Sequence, residues 1–202
     1  MNNSNRNNSI IDKSDAFNIL DRIIGFIRNC DNKSFIILGI FGGIATIILT
    51  SDLKDSLIKI YKSAYAKDTF CSDFYLLLLI APAFLALYGI YKILKVLDVQ
   101  LSDEKYKIEE ELELDSKIYF YKISNNAEYI KYKNKILEVS EEGLLNDILS
   151  QIYINSKICK NKYDNYKIGF KCSILSFLAF VILWIIGAFI YLYLPWQQMY
   201  IH

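Results

Sequence analysis

The chain contains the stretch CSILSFLAFVILWIIGAFIYLYL, from Cys172 to Leu194, in which no residue carries a charge. As an α-helix this stretch would be about 34 Å long, which suits the roughly 30 Å hydrocarbon core of a bilayer. Two further uncharged runs, Phe35 to Thr50 and Phe74 to Tyr91, would be about 24 and 27 Å long as helices. Because a lysine or aspartate at the centre of a span costs roughly 2.5–3.5 kcal/mol, these runs predict three transmembrane helices.

The alternative, buried helices of a water-soluble domain, requires a core too large for a chain of 202 residues. The residues between the runs are strongly polar, and the net charge of +1 offers no general electrostatic reason for a nucleic-acid partner. The sequence therefore predicts an all-α integral membrane protein with three transmembrane helices and helical cytoplasmic extensions. The last span is predicted to be continuous with a long cytoplasmic helix.

The composition also predicts how the chain is divided. The polar, Asn-rich start lacks the pattern of a cleavable signal, so we expect the first span to remain as an anchor. The apolar residues of the loop after the first span could prolong that span as a helix. The predicted segments are a disordered lead at 1–9, an amphipathic cytoplasmic helix at 10–33, a two-span hairpin at 34–97 with its outer loop at 51–73, a cytoplasmic helical region at 98–171, and the third span with an outer aromatic tail at 172–202.

The orientation follows from the basic residues near the ends of the spans, which are enriched on the cytoplasmic side. The loop after the first span balances four lysines with four aspartates, and the tail after Pro195 has no Lys or Arg. We therefore expect a multi-pass membrane protein with a cytoplasmic N-terminus and an extracytoplasmic C-terminus. The flanks placed in the cytoplasm contain Arg22, Arg28, Lys33, Lys92, Lys95, Lys105, Lys107, Lys157, Lys160, Lys162, Lys167 and Lys171.

The chain has few residues suited to catalysis or metal binding. Its sole histidine is the last residue, and its four cysteines show no paired spacing for zinc. In the expected topology only Cys71 lies outside, so we expect free thiols. No glycine-rich phosphate loop or nucleophile elbow is present. We expect no catalytic residues, no metal and no bound cofactor.

The polar segments show helical periodicity. Ser14 and Asp15 can cap a helix whose apolar stripe comprises Phe17, Leu20, Ile24 and Ile27, widened by Ile23. Ser140 can cap a helix that continues to Leu194. Two readings of Asn155, as a register-setting residue or an ordinary hydrogen-bonded one, stay open. The predicted packing stripe of this last helix is Leu145, Ile148, Ile152, Asn155, Cys159, Tyr163, Tyr166 and Phe170.

The first span carries the most distinctive candidates. Asp31 and Lys33 stand at its inner mouth and do not share a helical face, so each is expected to find a separate partner or to anchor the helix at the interface. Gly39 and Gly43 form a small-xxx-small pair that permits close helix packing within or between subunits. The small or polar residues that could line a pore are Gly42, Thr46, Thr50 and Ser51.

The order of these features resembles the Pycsar effector transmembrane family over about residues 15 to 190. It is similar as well to the related two-span effectors that accompany nucleotide-signalling synthases in bacterial conflict systems. The resemblance rests on an amphipathic helix, a D-x-K-[AS] motif opening a glycine-containing span, a Tyr/Phe-rich stretch, a D-x-x-x-Q pattern and a K-Y-containing helix. The matching positions are Asp31, Lys33, Ser34, Ile118, Tyr119, Phe120, Tyr121, Asp147, Gln151, Lys157, Lys162 and Tyr163.

The resemblance implies a membrane effector of antiphage defence that is activated by a cyclic nucleotide from a partner cyclase and impairs the inner membrane. The sequence shows no separate nucleotide-binding domain. We interpret Lys131, Lys133 and Lys135, with neighbouring tyrosines, as candidate nucleotide contacts through phosphate charge and base stacking. The expected effector is a homo-oligomer. Its ligand or partner would have to favour the open assembly by about 5.5 kcal/mol, summed over subunits, to change a 1:99 ratio of open to closed assemblies into 99:1.

Two other classes stay open. The chain could be a non-enzymatic scaffold or channel subunit that a soluble partner regulates. It could also be a membrane enzyme with a metal site in the acidic stretch from Asp103 to Asp115, although such a stretch is more typical of a solvated helix face.

Overall fold

The computed structural model describes residues 11–50, 52–67, 69–98, 112, 113 and 115–193. The described elements are all helical: α1 (Lys13–Thr50), α2 (Asp52–Lys67), α3 (Phe70–Leu97), α4 (Phe120–Ser124), α5 (Tyr129–Leu137) and α6 (Glu141–Gly187), followed by a π-helical turn (Ala188–Tyr193). Three predicted features lie outside the described residues: the lead at 1–9, most of the acidic stretch, and the aromatic tail after Pro195.

The helices α1, α3 and α6 are each long and apolar enough to cross a membrane. The predicted fold class is therefore confirmed, including the continuity of the last span with a long helix. The loop after the first span is mostly helical, because α2 covers Asp52–Lys67. This bears out the expected prolongation of helical structure beyond that span.

The chain divides into two compact units. The first, here called the polar unit, comprises residues 1–29 and 99–162, and the second, the membrane unit, comprises residues 30–98 and 163–202. The segment boundaries predicted at 33/34 and 171/172 fall four and nine residues after the unit boundaries at 29/30 and 162/163.

In the polar unit, α1 begins at Lys13, one residue before the predicted cap at Ser14. The carboxylate of Asp12 accepts a hydrogen bond from the backbone N–H of Asp15 at 2.7 Å, so Asp12 occupies the capping role that we assigned to Ser14 and Asp15. The cap predicted for α6 is confirmed, since Ser140 Oγ accepts a hydrogen bond from the N–H of Gly143 at 3.0 Å.

The apolar stripe predicted for α1 is partly wrong. Phe17 and Ile24 are 44% and 38% exposed, whereas Ala16 and Leu20 are buried against Ile148 of α6. The packing face therefore keeps Leu20 of the predicted stripe but contains Ala16 in place of Phe17, because a small alanine permits α1 to approach α6.

The stripe predicted for α6 is confirmed in its first part, since Ile148 is buried and Leu145 and Ile152 pack against the same cluster. It is wrong further along the helix, where Tyr163 and Phe170 are 39% and 40% exposed. A neighbouring line that contains Asp147 and Gln151 is buried as well. A criterion based on apolar residues alone misses this second face, where the buried side chain of Asp147 accepts a hydrogen bond from a backbone N–H.

In the membrane unit, α2 and α3 pack against the end of the last helix. Ile60, Ala64, Tyr75 and Tyr191 form the buried cluster at this point. The hydroxyl of Tyr75 donates a hydrogen bond to the Leu183 carbonyl at 2.9 Å. This bond fixes a point on α3 against the last turns of α6.

Candidate functional site

The most polar buried site of the polar unit lies on α6, at Asp147. This side chain is fully buried, and its Oδ2 accepts a hydrogen bond from the backbone N–H of Lys117 at 2.7 Å. One turn further on, Ser150 Oγ accepts a bond from the N–H of Glu113 at 3.0 Å. Helix α6 thus holds the segment around residues 113–117 by its backbone, through two side chains that lie three residues apart on one face.

The hydroxyl of Ser116 organises the same segment. It is buried and accepts bonds from the N–H groups of Ile118 and Tyr119 at 3.3 and 3.1 Å. The phenol of Tyr132 on α5 donates to the Lys117 carbonyl at 3.3 Å. The segment therefore connects α5 to α6 in the polar unit.

The second oxygen of Asp147 has no hydrogen-bond partner within the described ranges. A buried polar atom without a partner is uncommon and costs roughly 1–3 kcal/mol. The oxygen is chemically able to accept one further N–H or O–H group. This is the one place in the described polar unit where a carboxylate oxygen is both fully enclosed and unsatisfied.

The other predicted positions on α6 are placed as follows. Gln151 is 5% exposed, and Lys162 is 6% exposed. The amide of Asn155 donates to the Gln151 carbonyl at 2.8 Å, which is the behaviour of an ordinary hydrogen-bonded residue. Three motif positions of the family, Asp147, Gln151 and Lys162, are thus buried, whereas Tyr163 is partly exposed.

Ion pairs between lysines and carboxylates are present among the described residues of the polar unit. Lys13 pairs with Glu141 at 2.8 Å, Lys117 with Glu113 at 3.1 Å, and Lys135 with Asp115. The hydrogen bond from Lys135 lowers the pKa of Asp115, and that from Lys13 lowers the pKa of Glu141. The Glu141 and Asp115 side chains are 90% and 61% exposed, so their pairs contribute little to stability, whereas the Lys117–Glu113 pair is partly buried, at 16% and 30% exposed.

The candidate nucleotide contacts do not share one environment. Lys131 and Lys133 are exposed on α5, while Lys135 is half-buried and paired with Asp115. The aromatic stretch before α5 forms edge-to-face contacts, with 5.0 Å between the ring centroids of Tyr119 and Phe120, and 6.5 Å between those of Phe120 and Tyr121. The two exposed lysines therefore remain the more accessible candidates.

The charged motif of the first span lies at a packed turn of α1. Ser34 and Cys30 are buried, and Ser34 Oγ donates to the Cys30 carbonyl at 2.9 Å. Asp31 is half-buried and Lys33 is exposed. The two charges point in different directions, as their spacing predicts.

The glycines of the first span face open space. A Cβ added at Gly39, Gly42 or Gly43 would meet no atom within 4 Å. The hydroxyls of Thr46 and Thr50 donate to backbone carbonyls one turn back in α1, at 2.9 and 2.7 Å. This face is therefore smooth, with its hydroxyls satisfied inside the helix, and nothing else in the described membrane unit covers it.

The glycines that do pack were not singled out from the sequence. A Cβ at Gly169 would lie 2.7 Å from Ile93 Cδ1 and 3.0 Å from the Gly89 carbonyl oxygen. A Cβ at Gly89 would lie 2.9 Å from Ser173 Oγ. Helices α3 and α6 therefore cross with their backbones in near contact. The spacing of Gly169 and Ser173, two small residues four apart, is the signal that could have revealed this crossing.

These observations define a multi-pass helical membrane protein that joins a bundle of apolar helices to a polar helical unit. The family model for the Pycsar effector protein domain matches residues 15–189. The chain belongs to the Pycsar effector transmembrane family, as the resemblance of its motifs predicted, and it is an effector of antiphage defence.

Two relatives have comparable length. The chain is 32% identical over 182 residues to the Pycsar effector protein GmPycTM of Gulbenkiania mobilis, covering 85% of this chain and 90% of the relative. It is 27% identical over 147 residues to the Pycsar effector protein EcPycTM of Escherichia coli, covering 73% and 75%. No solved structure matches the chain.

Proposed function

We propose that this effector acts without catalysis: it oligomerises in the bacterial inner membrane and, on a cyclic-nucleotide signal from a partner cyclase, permeabilises that membrane and causes abortive infection. The N-terminus is cytoplasmic and the C-terminus extracytoplasmic in this proposal. The observation that carries it is the uncovered small-residue face of α1, at Gly39 and Gly43.

This face suits contact between copies of the chain. At 100° per residue, Gly39 and Gly43 both lie about 160° around α1 from Phe41, whose half-buried ring faces the neighbouring helices of the same chain. In lipid the hydrophobic effect does not drive helices together, because acyl chains are as apolar as the helix surfaces. Helices associate instead through close packing, which small residues permit. A ring of α1 helices would place Thr46 and Thr50 near its axis, where a hydrophobic constriction can exclude water in the closed state.

The signal is proposed to act on the polar unit. The exposed lysines Lys131 and Lys133 offer charge to a phosphate, and the unsatisfied Asp147 oxygen can accept an N–H or O–H group. A nucleotide that favours one arrangement of the segment held by Asp147 would shift the population of open assemblies.

The test is leakage from dye-loaded liposomes that contain the purified full chain, measured with a panel of cyclic mono- and oligonucleotides. The informative variant is Gly43→Leu, which fills the proposed contact face. Gly25→Leu is the matched control, because Gly25 also faces open space but lies on α1 in the polar unit. We expect one nucleotide to trigger leakage, Gly43→Leu to abolish it, and Gly25→Leu to retain it.

A second pair of variants tests the mouth of the first span. Asp31→Ala and Lys33→Ala should lose leakage while inserting normally, and Asn32→Ala, at an exposed position between them, should keep it. Normal leakage from both charge variants would remove this motif from the mechanism.

The alternative class, a scaffold or channel subunit that a soluble partner regulates, has one observation in its favour. Tyr129, Ile130 and Leu137 of α5 are 75%, 66% and 71% exposed, and exposed apolar patches often mark protein interfaces. Folded, inserted protein that leaks with no nucleotide of the panel would favour this alternative over the self-sensing effector.

A further inference from the structure

The membrane unit contains an apolar cavity of about 300 Å³ between α1, α3 and α6. Its lining includes Phe41 and Ile48 of α1, Pro82 and Ala86 of α3, and Phe180 of α6. All of these residues belong to the uncharged runs that make the three helices able to span a membrane. The cavity therefore lies where the surrounding solvent is hydrocarbon.

The cavity walls offer almost nothing to a polar ligand. Among the described lining residues, the one with a polar side chain is Ser176, and its hydroxyl already donates to the Ser173 carbonyl at 2.8 Å. Pro82 lies inside α3 and has no N–H to offer a polar ligand. A charged or strongly polar ligand would lose its hydration here without compensation.

The size of the cavity decides what fills it. An apolar cavity of about 150 Å³ holds a benzene molecule, so one of twice that volume has room for a chain of roughly twelve carbons. Left empty, the lining side chains would forgo dispersion contacts that acyl chains supply everywhere else around the helices. Water does not relieve this, because an apolar cavity stays dry.

We propose that this cavity binds one acyl chain of a membrane lipid, which lies between α1 and the α3–α6 pair as part of the resting structure of the membrane unit. The proposal concerns the membrane unit alone and does not depend on the permeabilising function. The bound chain supplies to α1 the contacts that its own side chains do not make with α3 and α6.

The test uses tryptophan fluorescence of the full chain in detergent micelles. The two native tryptophans, Trp184 and Trp196, are replaced by phenylalanine. A single reporter is introduced as Phe180→Trp in the cavity or, as the control, as Ile182→Trp at a position that is 57% exposed on the outer surface. Phosphatidylcholine with bromine atoms in the middle of its acyl chain is the quencher.

We expect Phe180→Trp to be quenched saturably at a low ratio of lipid to protein, and unbrominated phosphatidylcholine to reverse the quenching. Ile182→Trp should be quenched only in proportion to the lipid content of the micelle. Matching curves for the two reporters would overturn the proposal. Quenching of Phe180→Trp that stays below that of the control at every lipid ratio would also overturn it, since the reporter would then be shielded by protein.

Filling the cavity gives the second arm. Ala86→Phe in the Phe180→Trp background should abolish the saturable component, whereas Ala81→Phe, on an exposed position of α3 outside the lining, should leave it unchanged. Ala83→Leu provides a smaller filling change at the lining, and circular dichroism verifies the helix content of each variant. Saturable quenching that survives in folded Ala86→Phe and Ala83→Leu would refute the site.

Discussion

The membrane unit has an open side and a closed side, and its glycines differ accordingly. On the closed side, the α3–α6 crossing leaves no room for even one methyl group at Gly169, whereas a methyl group on the open side would touch nothing. In the most apolar 18-residue stretch of α1, 6% is buried inside the protein, compared with 17% in the corresponding stretches of α3 and α6. The closed side thus holds one chain together, and the open side is available to lipid or to another copy. The open-side glycines are Gly39, Gly42 and Gly43, and the closed-side glycines are Gly89, Gly169 and Gly187.

The comparison shows that the role of a small residue in helix packing can be assigned only when its neighbours in the structure are known. Gly43 and Gly169 both lie in helices that are apolar enough to span a membrane, yet of these two only Gly169 sets a distance between backbones. A glycine that is not packed is merely a poorer helix former than alanine, by roughly 1 kcal/mol.

The largest expected effect is on the closed side. Gly169→Leu should destabilise the folded chain by about 3 kcal/mol or more, because its Cβ would meet both Ile93 and the backbone oxygen of Gly89. Gly43→Leu should leave stability unchanged or slightly higher. Thermal unfolding in detergent, followed by circular dichroism, compares them, and equal melting temperatures would contradict the distinction between the two sides.

The next largest effect on stability is expected at the buried hydrogen bond of Asp147 in the polar unit. Asp147→Ala should cost about 1–3 kcal/mol, because the N–H of Lys117 loses its acceptor in a buried position. Asp147→Asn retains an oxygen at the same place and should cost less. The two variants are compared by the rate of proteolysis of the polar unit, and a rate as slow as wild type for Asp147→Ala would remove this contact from the account of the fold.

A smaller loss of stability is expected when a hydrogen bond on the closed side is removed without changing the packing of the side chain. Tyr75→Phe removes the bond to the Leu183 carbonyl but keeps the ring against Tyr191. Interhelical hydrogen bonds in membranes are worth about 0.6 kcal/mol on average, so the melting temperature should fall only slightly. Tyr61→Phe, on an exposed ring of α2, is the matched control. A loss as large as that of Gly169→Leu would show that the hydrogen bond, not the close approach, maintains the crossing.

The smallest effect is expected at the surface of the polar unit. The folded-state pKa of Asp115 lies below its ordinary value of 3.8, through its hydrogen bond to Lys135. The stability that this pair adds is therefore present above that ordinary pKa and is lost as the pH falls through the lower, folded-state pKa. The melting temperatures of wild type and Asp115→Asn, measured from pH 6 downwards, should become equal at low pH. A constant difference at all values of pH would exclude the pair as its source.

The topology in the proposal has its own test. Cys71 is exposed in the structure, and the proposal places it outside. In a variant that keeps only this cysteine, a membrane-impermeant maleimide should label intact spheroplasts. A variant whose single cysteine is Asn125→Cys, at an exposed position of the polar unit, should label only after lysis. The reverse pattern would invert the orientation.

The three spans and the Ser140 cap follow from local information, and each was predictable. An uncharged run can lie in hydrocarbon whatever its neighbours are. The faces on which α1 and α6 pack were predicted only in part, because the spacing of apolar residues does not mark the small and polar residues that also lie at helix contacts. In α6 the buried line carries Asp147, Gln151 and Lys162, and in α1 an alanine is preferred to a phenylalanine at the contact.

The sequence by itself determined that this is a helical membrane protein of its family, because the length of an uncharged run and the residues of a motif can both be seen in the order of residues along the chain. Only the tertiary structure decided which glycines are packed, which oxygen of Asp147 is unsatisfied, and where an apolar cavity is left between three helices. These depend on distances between residues far apart in the chain: Gly89 meets Gly169 because two helices cross there, and no periodicity within either helix contains that distance.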